Sequence, residues 1–361
     1  MSEELVYSLV PISEIKVDEW NKFISSVPEA TFFCTTDYWK SYKDSYFLQV
    51  RNADGTIISG IPFCIQSEVP IIGSFFRFCR LESSVLVSTE LDSHQIYKLK
   101  KLNFQYLIGH LSKNKVVFLF ISSKSRSNDA AILNELGFDL EKGATFIIDL
   151  TNDEKNIYKM FSKGHKAAIQ NAQKAGVRIE ILDGKKAFEH LHDYCSLQDK
   201  LVMRKGRNFS TIYFKSEAFL TSILSSDSYR AYLAMAWFRE QPAAGAILIT
   251  FNKVLYYYLG ATDYSVTNKV QASNLLQYEI IRFGKKSGFE IYDFGGVPVN
   301  PVPTINTYGV YKFKKSFGGK HCQYDTGIYV MKKHRYKIMR KMIKYEHNFF
   351  IQSFYNFLRK S

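Results

Sequence analysis

None of the five cysteines forms a C-x-x-C pair, no two of the eight histidines are spaced H-x-x-x-H, and no H-E-x-x-H occurs. A metal centre is therefore not expected. Cys34, Cys64, Cys79, Cys195 and Cys322 include three inside strand-like apolar runs, which suits reduced core thiols in a reducing compartment better than a disulfide framework. Nothing approaches the roughly 18 consecutive apolar residues of a membrane span. The opening MSEELVYSLVPIS lacks the positive start and apolar core of a secretory signal, so a cytoplasmic protein is expected. No sustained heptads occur, which excludes a long coiled-coil arm. Acids are also scarce: 34 Asp and Glu stand against 48 Lys and Arg, a formal charge of +14. That balance favours polyanionic partners, namely a nucleic acid, an anionic membrane face or a phosphorylated substrate. Much of it lies in residues 331–361, with nine Lys/Arg and one acid, Glu346.

What is present is aromatic and patterned. Phe and Tyr number 29 and 24 in 361 residues, a composition for well-packed globular structure and long enough for two domains. Alternation and 3.6-residue periodicity predict strands at 3–10, 116–122 and 144–150 and helices at 13–27, 36–44, 93–112 and 130–136, with a hairpin at Asp54-Gly55. From 151 the order repeats: a helix to about Ala175, a strand at 177–182, helices at 185–203 and 215–224, and strands at 229–239 and 243–252 joined through Gln241-Pro242. A strand at 254–261, a helix at 273–286, a strand at 289–294, a helical segment at 307–317 and closing strands at 321–330 follow. The pattern β-α-α-β-β-β-α-β-α-β occurs twice, giving expected domains at 1–151 and 152–330, with a basic helix at 331–361.

The chain is organised around Ile291–Gly319. A strand pattern ends in Asp293 and the Gly295-Gly296 pair, passes a Pro-rich loop and restarts as a basic-aromatic segment carrying Lys312, Lys314 and Lys315. Glycines there permit positive φ or close approach of backbone to a ligand; a buried strand, turn and surface helix would account for the same residues. On the helix Lys163–Val177, Phe161, His165, Ala168, Ala172 and Ala175 form one face and Lys163, Lys166, Gln170 and Lys174 the other. The basic stripe suits phosphate or simple solvation, and His165 reads as packed rather than catalytic. Arg204, Lys205 and Arg207 surround a glycine after a helix, where a guanidinium could take phosphate or serve as a favourable helix terminus. On the strand at 254–261, Tyr256 and Tyr258 share one face and Tyr257 the other, for ligand stacking or core packing. In the tail, Ile338, Met342, Tyr345 and Phe349 make an apolar stripe beside Lys333, Lys337, Arg340, Lys341 and Lys344. Such a helix lies on an anionic bilayer or docks on the body.

The strings Y-D-F-G-G at Tyr292–Gly296 and G-V-Y-K-F-K-K-S-F-G-G at Gly309–Gly319 resemble the C-terminal signature of the FemAB/FemX-type transferases. FFCTTDYW at Phe32–Trp39 is similar to that family's early F-x-S/T-x-x-W segment. The run from Lys166 to Val177 is similar to its R-x-x-I-R-K-A-x-K-x-G-V, with Lys166 for the first Arg and Gln170 and Asn171 for the basic pair. The resemblance implies an α/β (α+β) chain of two tandem GNAT-like domains, each a twisted mixed sheet flanked by helices. It also implies amide formation from an activated aminoacyl or acyl donor to an amine of a phosphorylated cell-envelope precursor such as a peptidoglycan precursor. Lys314 would stabilise charge near the tRNA end and Phe313 would shape that site. Asp293 would orient the amine or accept its proton, or else cap the Gly295-Gly296 turn. Lys166, Arg204, Tyr256, Tyr258, Gly295, Gly296 and Tyr311 would contact substrate. No bound cofactor is expected, the donor being aminoacyl-tRNA or acyl-CoA. The loop before the helix at 273 reads NKVQASNLL, without the glycine-rich turn of acyl-CoA enzymes. The competing readings are an acyl-CoA-dependent N-acyltransferase of amino sugars in surface polysaccharide and a non-catalytic RNA- or membrane-binding module.

Overall fold

The computed structural model describes residues 5–67, 76–124, 129–205, 215–304 and 307–345. The chain divides into two compact units, one of residues up to Lys142 together with those from Tyr324 onward, the other Gly143–Gln323. The sequence draws its boundary near 151, where a strand pattern ends; the units divide inside strands instead.

The first unit contains β1 (Val6–Pro11), α1 (Val17–Ser25), α2 (Thr36–Lys40), β2 (Ser45–Arg51), β3 (Ile57–Ser67), β4 (Arg77–Leu81), β5 (Leu86–Val87), α3 (Ser93–Lys113), β6 (Phe118–Ser122), α4 (Ala130–Glu135) and the start of β7 (Asp139–Asp149). Strands β1, β2, β3 and β4 pair antiparallel in that order, and β4 then runs parallel to β6. A parallel neighbour requires a crossover, and α3 supplies it. Asp92 and Gln95 close a capping box at the start of α3, which satisfies orphan donors at both residues. The FFCTTDYW segment is a packing device: the indole of Trp20 donates to the Cys34 carbonyl at 2.8 Å and that of Trp39 to the Phe33 carbonyl at 2.7 Å. Both rings are fully buried, so each N–H needs such a partner. Cys34, Cys64 and Cys79 are buried free thiols.

The second unit contains α5 (Glu154–Met160), α6 (Lys163–Lys174), β8 (Arg178–Leu182), α7 (Gly184–Glu189), α8 (Leu191–Lys205), α9 (Glu217–Leu224), β9 (Arg230–Phe238), β10 (Gln241–Phe251), β11 (Val254–Thr262), α10 (Tyr264–Val270), α11 (Ala272–Lys286), β12 (Ile291–Val297), α12 (Tyr308–Lys315) and the start of β13 (Lys320–Val330). Its sheet runs β7, β12, β11, β10, β9, β8, antiparallel except between β11 and β12. The repeated order seen in the sequence is present, with one exchange. Ala144–Asp149 of β7 pair with β12 in the second unit, and Thr326–Val330 of β13 pair with β6 in the first. That exchange is why the units divide within these strands.

Three local expectations change. The helix expected from 151 to 175 is two helices, because Phe161 turns to extended geometry and Ser162 caps α6 by accepting from the His165 N–H. The turn placed at Gln241-Pro242 lies at Arg239 and Glu240, both at positive φ, as are Asn252 and Lys253 at the next hairpin. Paired left-handed residues give two-residue loops whose twist matches the strands. Pro242 sits in β10 next to a register shift, a place where its missing donor is tolerated. The segment between β11 and α11 contains a further helix, α10, capped by Asp263.

The basic tail begins as α13 (Lys333–Tyr345). It packs through Met339 and Tyr336 on Phe76, Phe78, Val117 and Phe118 of the first unit. Of the expected apolar stripe, Ile338 is exposed, while the side chains of Met342 and Tyr345 and all of Phe349 lie outside the described residues.

Candidate active site

The site forms where the two parallel strands of the second unit part. Strands β11 and β12 stay in register only over Val254–Tyr256 and Ile291–Asp293. Each then carries a register irregularity, β11 at Tyr258 against β10 and β12 between Asp293 and Gly296 against β7. Such bulges bend a strand and re-aim its groups. The carbonyls of Gly295 and Gly296 are thereby turned out of the ladder and accept from the Lys314 ammonium at 3.2 and 3.0 Å. Gly295 has φ +69° and lies under the Tyr257 carbonyl, 3.0 Å from where a Cβ would stand, so the turn requires glycine for both conformation and space.

Lys314 comes from the last turn of α12 and is only 8% exposed. Its ammonium also lies 5.7 Å from the centre of the Tyr257 ring. Burial pulls its pKa down to about 8, with the Asp293 charge opposing the shift. A buried cation held on neutral dipoles is the expected cause of such a shift. It leaves an ammonium that is mostly charged at neutral pH and able to act on developing negative charge.

Asp293 accepts from the Gly295 N–H at 2.8 Å and from the Thr145 hydroxyl at 2.5 Å. Thr145 also lies 3.1 Å from the Gly295 carbonyl. Asp293 therefore caps the glycine turn, one of the two roles open to it from the sequence. Tyr256 stands beside it in register. Because Tyr258 is the extra residue of the bulge, strict alternation ends there, and the expected common face for Tyr256 and Tyr258 does not follow. The Tyr257 hydroxyl instead lies over Gly260. Burial pushes its pKa up, and Gln277 accepts from Tyr292 at 2.6 Å.

Phe313 packs edge-on to Phe317, and Tyr311 packs on Phe146. The structure thus brings together Lys314, Asp293, Gly295, Gly296 and Tyr256, with Phe313 and Tyr311 on the same short helix as Lys314. The recorded contacts of Lys166 are elsewhere: its ammonium donates to the Lys159 carbonyl at 3.0 Å and sits over Tyr158. The Arg204 guanidinium stacks on Tyr264 of α10 at 3.6 Å. Arg207 lies outside the described residues. On α6, Ile169 and Ala172 are the buried positions, while His165 reaches toward α12. Thr145 and Gln277 went unnoticed in the sequence; neither belongs to a motif, and Thr145 enters from β7, far away in the chain. A separate cleft of about 400 Å³ between α6, β8 and α11, lined by Val177, Ile179, Leu275 and Arg282 among others, includes none of the residues singled out above.

Residues 160–315, which include both parting strands and Lys314, match the acetyltransferase (GNAT) domain family. Over 75 residues the chain is 32% identical to a lipid II:glycine glycyltransferase of Staphylococcus haemolyticus, a match covering 21% of this chain and 18% of that relative. The chain's similarity thus spans under a fifth of that relative's length. Among solved structures, the crystal structure of FemX superposes with a TM-score of 0.66 at 15% identity, covering 93% of this chain and 99% of that one. A tandem GNAT protein from the clavulanic acid biosynthesis pathway superposes with a TM-score of 0.54 at 12% identity, covering 91% and 99%. The fold is therefore the tandem GNAT fold, with the acetyltransferase (GNAT) domain match confined to residues 160–315.

Proposed function

We propose that the protein is a transferase that forms an amide by moving an activated aminoacyl or acyl group onto an amine of a cell-envelope precursor such as a peptidoglycan precursor. The observation that carries this reading is the buried Lys314 ammonium, poised on the Gly295 and Gly296 carbonyls inside the gap between β11 and β12. The amine attacks the donor's carbonyl carbon, the carbonyl oxygen gains negative charge, and the bond to the leaving oxygen or sulfur then breaks while the amine loses a proton. Lys314 stabilises the charge that develops on the oxygen or leaving group. Phe313 and Tyr311 shape its surroundings, Tyr256 lines the gap, and Asp293 holds the glycine turn and in this reading accepts the departing proton. Lys166 and Arg204 are candidates for the precursor's phosphates.

Aminoacyl-tRNA is the proposed donor, supported by the net charge of +14, which suits a polyanionic substrate; the lipid II:glycine glycyltransferase relative supports transfer of an aminoacyl group. Acyl-CoA is its competitor. Among the described residues no helix is long and apolar enough to cross a membrane. Peripheral contact with the inner face of an anionic membrane through 331–361 belongs to the same reading. On α13, Ile338 is 52% exposed and has Arg335 and Lys341, three residues before and after it, as neighbours on its side of the helix. Co-sedimentation with anionic but not neutral vesicles, lost in Ile338→Asp, is the expected result; equal recovery with both lipids would remove the membrane from the proposal.

Lys314→Met tests the assignment of the site. The variant should keep its fold and its affinity for the precursor while turnover falls about 10²–10³-fold, the usual effect of deleting one group that stabilises the transition-state oxyanion. Unchanged turnover would place the chemistry elsewhere.

A further inference from the structure

Tyr257 is the first residue of β11 beyond the stretch paired with β12, and both its backbone and its ring reach the site. Its carbonyl lies beneath Gly295, 3.0 Å from where a Cβ would stand there. Its ring leans along β11 onto Gly260, where a Cβ would stand 1.6 Å from the hydroxyl and 2.5 Å from the ring carbon that bears it. In a regular strand, residues three apart point to opposite faces. The extra residue Tyr258 resets that count: Tyr257 pairs with Leu248 and Gly260 with Ala246, so the two share a face. Bulge and glycine together give the ring its place, since any side chain at 260 would stand where the phenol lies.

The Lys314 ammonium lies over this ring, 5.7 Å from its centre, while it donates to the Gly295 and Gly296 carbonyls at 3.2 and 3.0 Å. The face of an aromatic ring carries the negative end of its quadrupole, and its pull on a cation is strongest where water is excluded. Lys314, 8% exposed, meets that condition. The full charges near it include Asp293 on β12, whose carboxylate is engaged by the Gly295 N–H and the Thr145 hydroxyl. They also include Lys312 and Lys315 on α12 itself, exposed and lying over Tyr308 and Tyr311 at 5.9 and 5.6 Å. A lysine has a flexible four-carbon stem, so where its ammonium rests is decided by the groups at its tip. Here those groups are two carbonyls and one ring, and Tyr257 supplies the ring while its carbonyl underlies the glycine turn.

We propose that Tyr257 is a positioning residue for Lys314: its ring, laid against Gly260, offers the buried ammonium a negative face beside the Gly295 and Gly296 carbonyls and so keeps it charged and in place. The effect on turnover rests on the transferase reading above; the effect on Lys314 itself does not. Three replacements separate the face of the ring from the space it fills. Tyr257→Phe keeps the ring and its face and loses only the hydroxyl. Pentafluorophenylalanine in place of Tyr257 keeps a ring of nearly the same shape and reverses the charge of its face. Tyr257→Leu removes the face altogether. A fourth, Gly260→Ala, leaves Tyr257 in the chain but drives its ring off the strand.

The first measurement is the rate at which an amine-reactive acetylating reagent modifies Lys314 without substrates, read by peptide mass spectrometry across the neutral and alkaline range. Only the neutral amine reacts, so the profile gives the midpoint of the lysine's titration. Wild type and Tyr257→Phe should share a midpoint of about 8. The fluorinated ring, Tyr257→Leu and Gly260→Ala should lower it by about 0.5–1, which at pH 7 raises the labelling rate about three- to fivefold. The fluorinated ring carries the test where Tyr257→Leu or Gly260→Ala does not fold. The second measurement is steady-state transfer with both substrates saturating, in which the falling alkaline limb of kcat moves to lower pH by the same amount in those three variants and stays in place in Tyr257→Phe. A wild-type midpoint with the fluorinated ring, or a Tyr257→Phe midpoint as low as that of Tyr257→Leu, would overturn the proposal, because space or the hydroxyl, and not the face, would then govern the lysine. If wild type transfers nothing from any donor, the labelling profile still decides the positioning role.

Discussion

Lys314 makes a pH prediction whose direction depends on what the residue does. With a pKa of about 8, it is about 90% charged at pH 7, half charged at about pH 8 and about 10% charged at pH 9. If the ammonium stabilises negative charge, kcat measured with both substrates saturating falls about fivefold from pH 8 to pH 9, and about tenfold per unit above that. Titration of the acceptor amine can only raise kcat with pH, so a falling limb belongs to the enzyme. The residual kcat of Lys314→Met should lack that limb. A wild-type kcat that rises through pH 8 and stays high at pH 9.5, with the protein still folded, would refute charge stabilisation and make the neutral amine the working form. The same shift predicts stability. The folded pKa is about 8 and the unfolded one near 10.5, so between these values the unfolded chain holds more protons and stability rises with pH. The desolvation cost is fully present below about pH 8 and relieved as pH climbs toward 10.5, a change of about 2–3 kcal/mol at this burial. Urea midpoints for wild type relative to Lys314→Met should therefore move in favour of wild type between pH 7 and pH 10.

Two substitutions test the framework around and beyond the site. Gly295→Ala forces an L side chain into φ +69° against the Tyr257 carbonyl, at a cost of about 1–2 kcal/mol, and should lower the thermal midpoint and turnover together; a wild-type midpoint would show that the turn relaxes freely. Glu82 in the first unit is fully buried and takes hydrogen bonds from Arg80 and from Lys124, the latter at 2.6 Å. These cations hold its pKa down against burial, so its contribution is present above the ordinary carboxylate range and lost as pH falls. Glu82→Ala should cost about 2–4 kcal/mol in denaturant unfolding at pH 7, less than a fully enclosed pair because both cations are about one-third exposed. A loss under about 0.5 kcal/mol would contradict that reading.

The order of elements was legible because apolar strand runs and helical spacing survive, as in β10, buried without a break from Ala243 to Phe251, and in α11. What escaped was set by tertiary context. Ser162 reads as an interior helix residue until its hydroxyl is seen capping α6. Nothing local marks Arg239 and Glu240 as a left-handed pair, so the neighbouring proline drew the turn onto itself. The exchange of β7 and β13 is invisible to periodicity, since the strands look the same whichever sheet receives them. At the site, Lys314 and the Gly295-Gly296 pair stood out through their resemblance to a family signature, with periodicity adding only that they lie on a helix and at a strand end. The bulge at Tyr258 was not legible, because an extra residue leaves no mark on composition. His165 was visible as a packed residue, but the rings it packs on, Phe313 and Phe317, belong to a helix end nearly 150 positions away.

The most direct test supplies purified protein with either charged total tRNA or a panel of acyl-CoAs, together with amine-bearing envelope precursors, and reads product mass. An added aminoacyl mass on the precursor, formed with charged tRNA and absent in Lys314→Met, is the expected result. Product formed only from acyl-CoA would move the enzyme to amino-sugar or other small-amine acylation, and no product from any donor would contradict a transferase and leave a binding module.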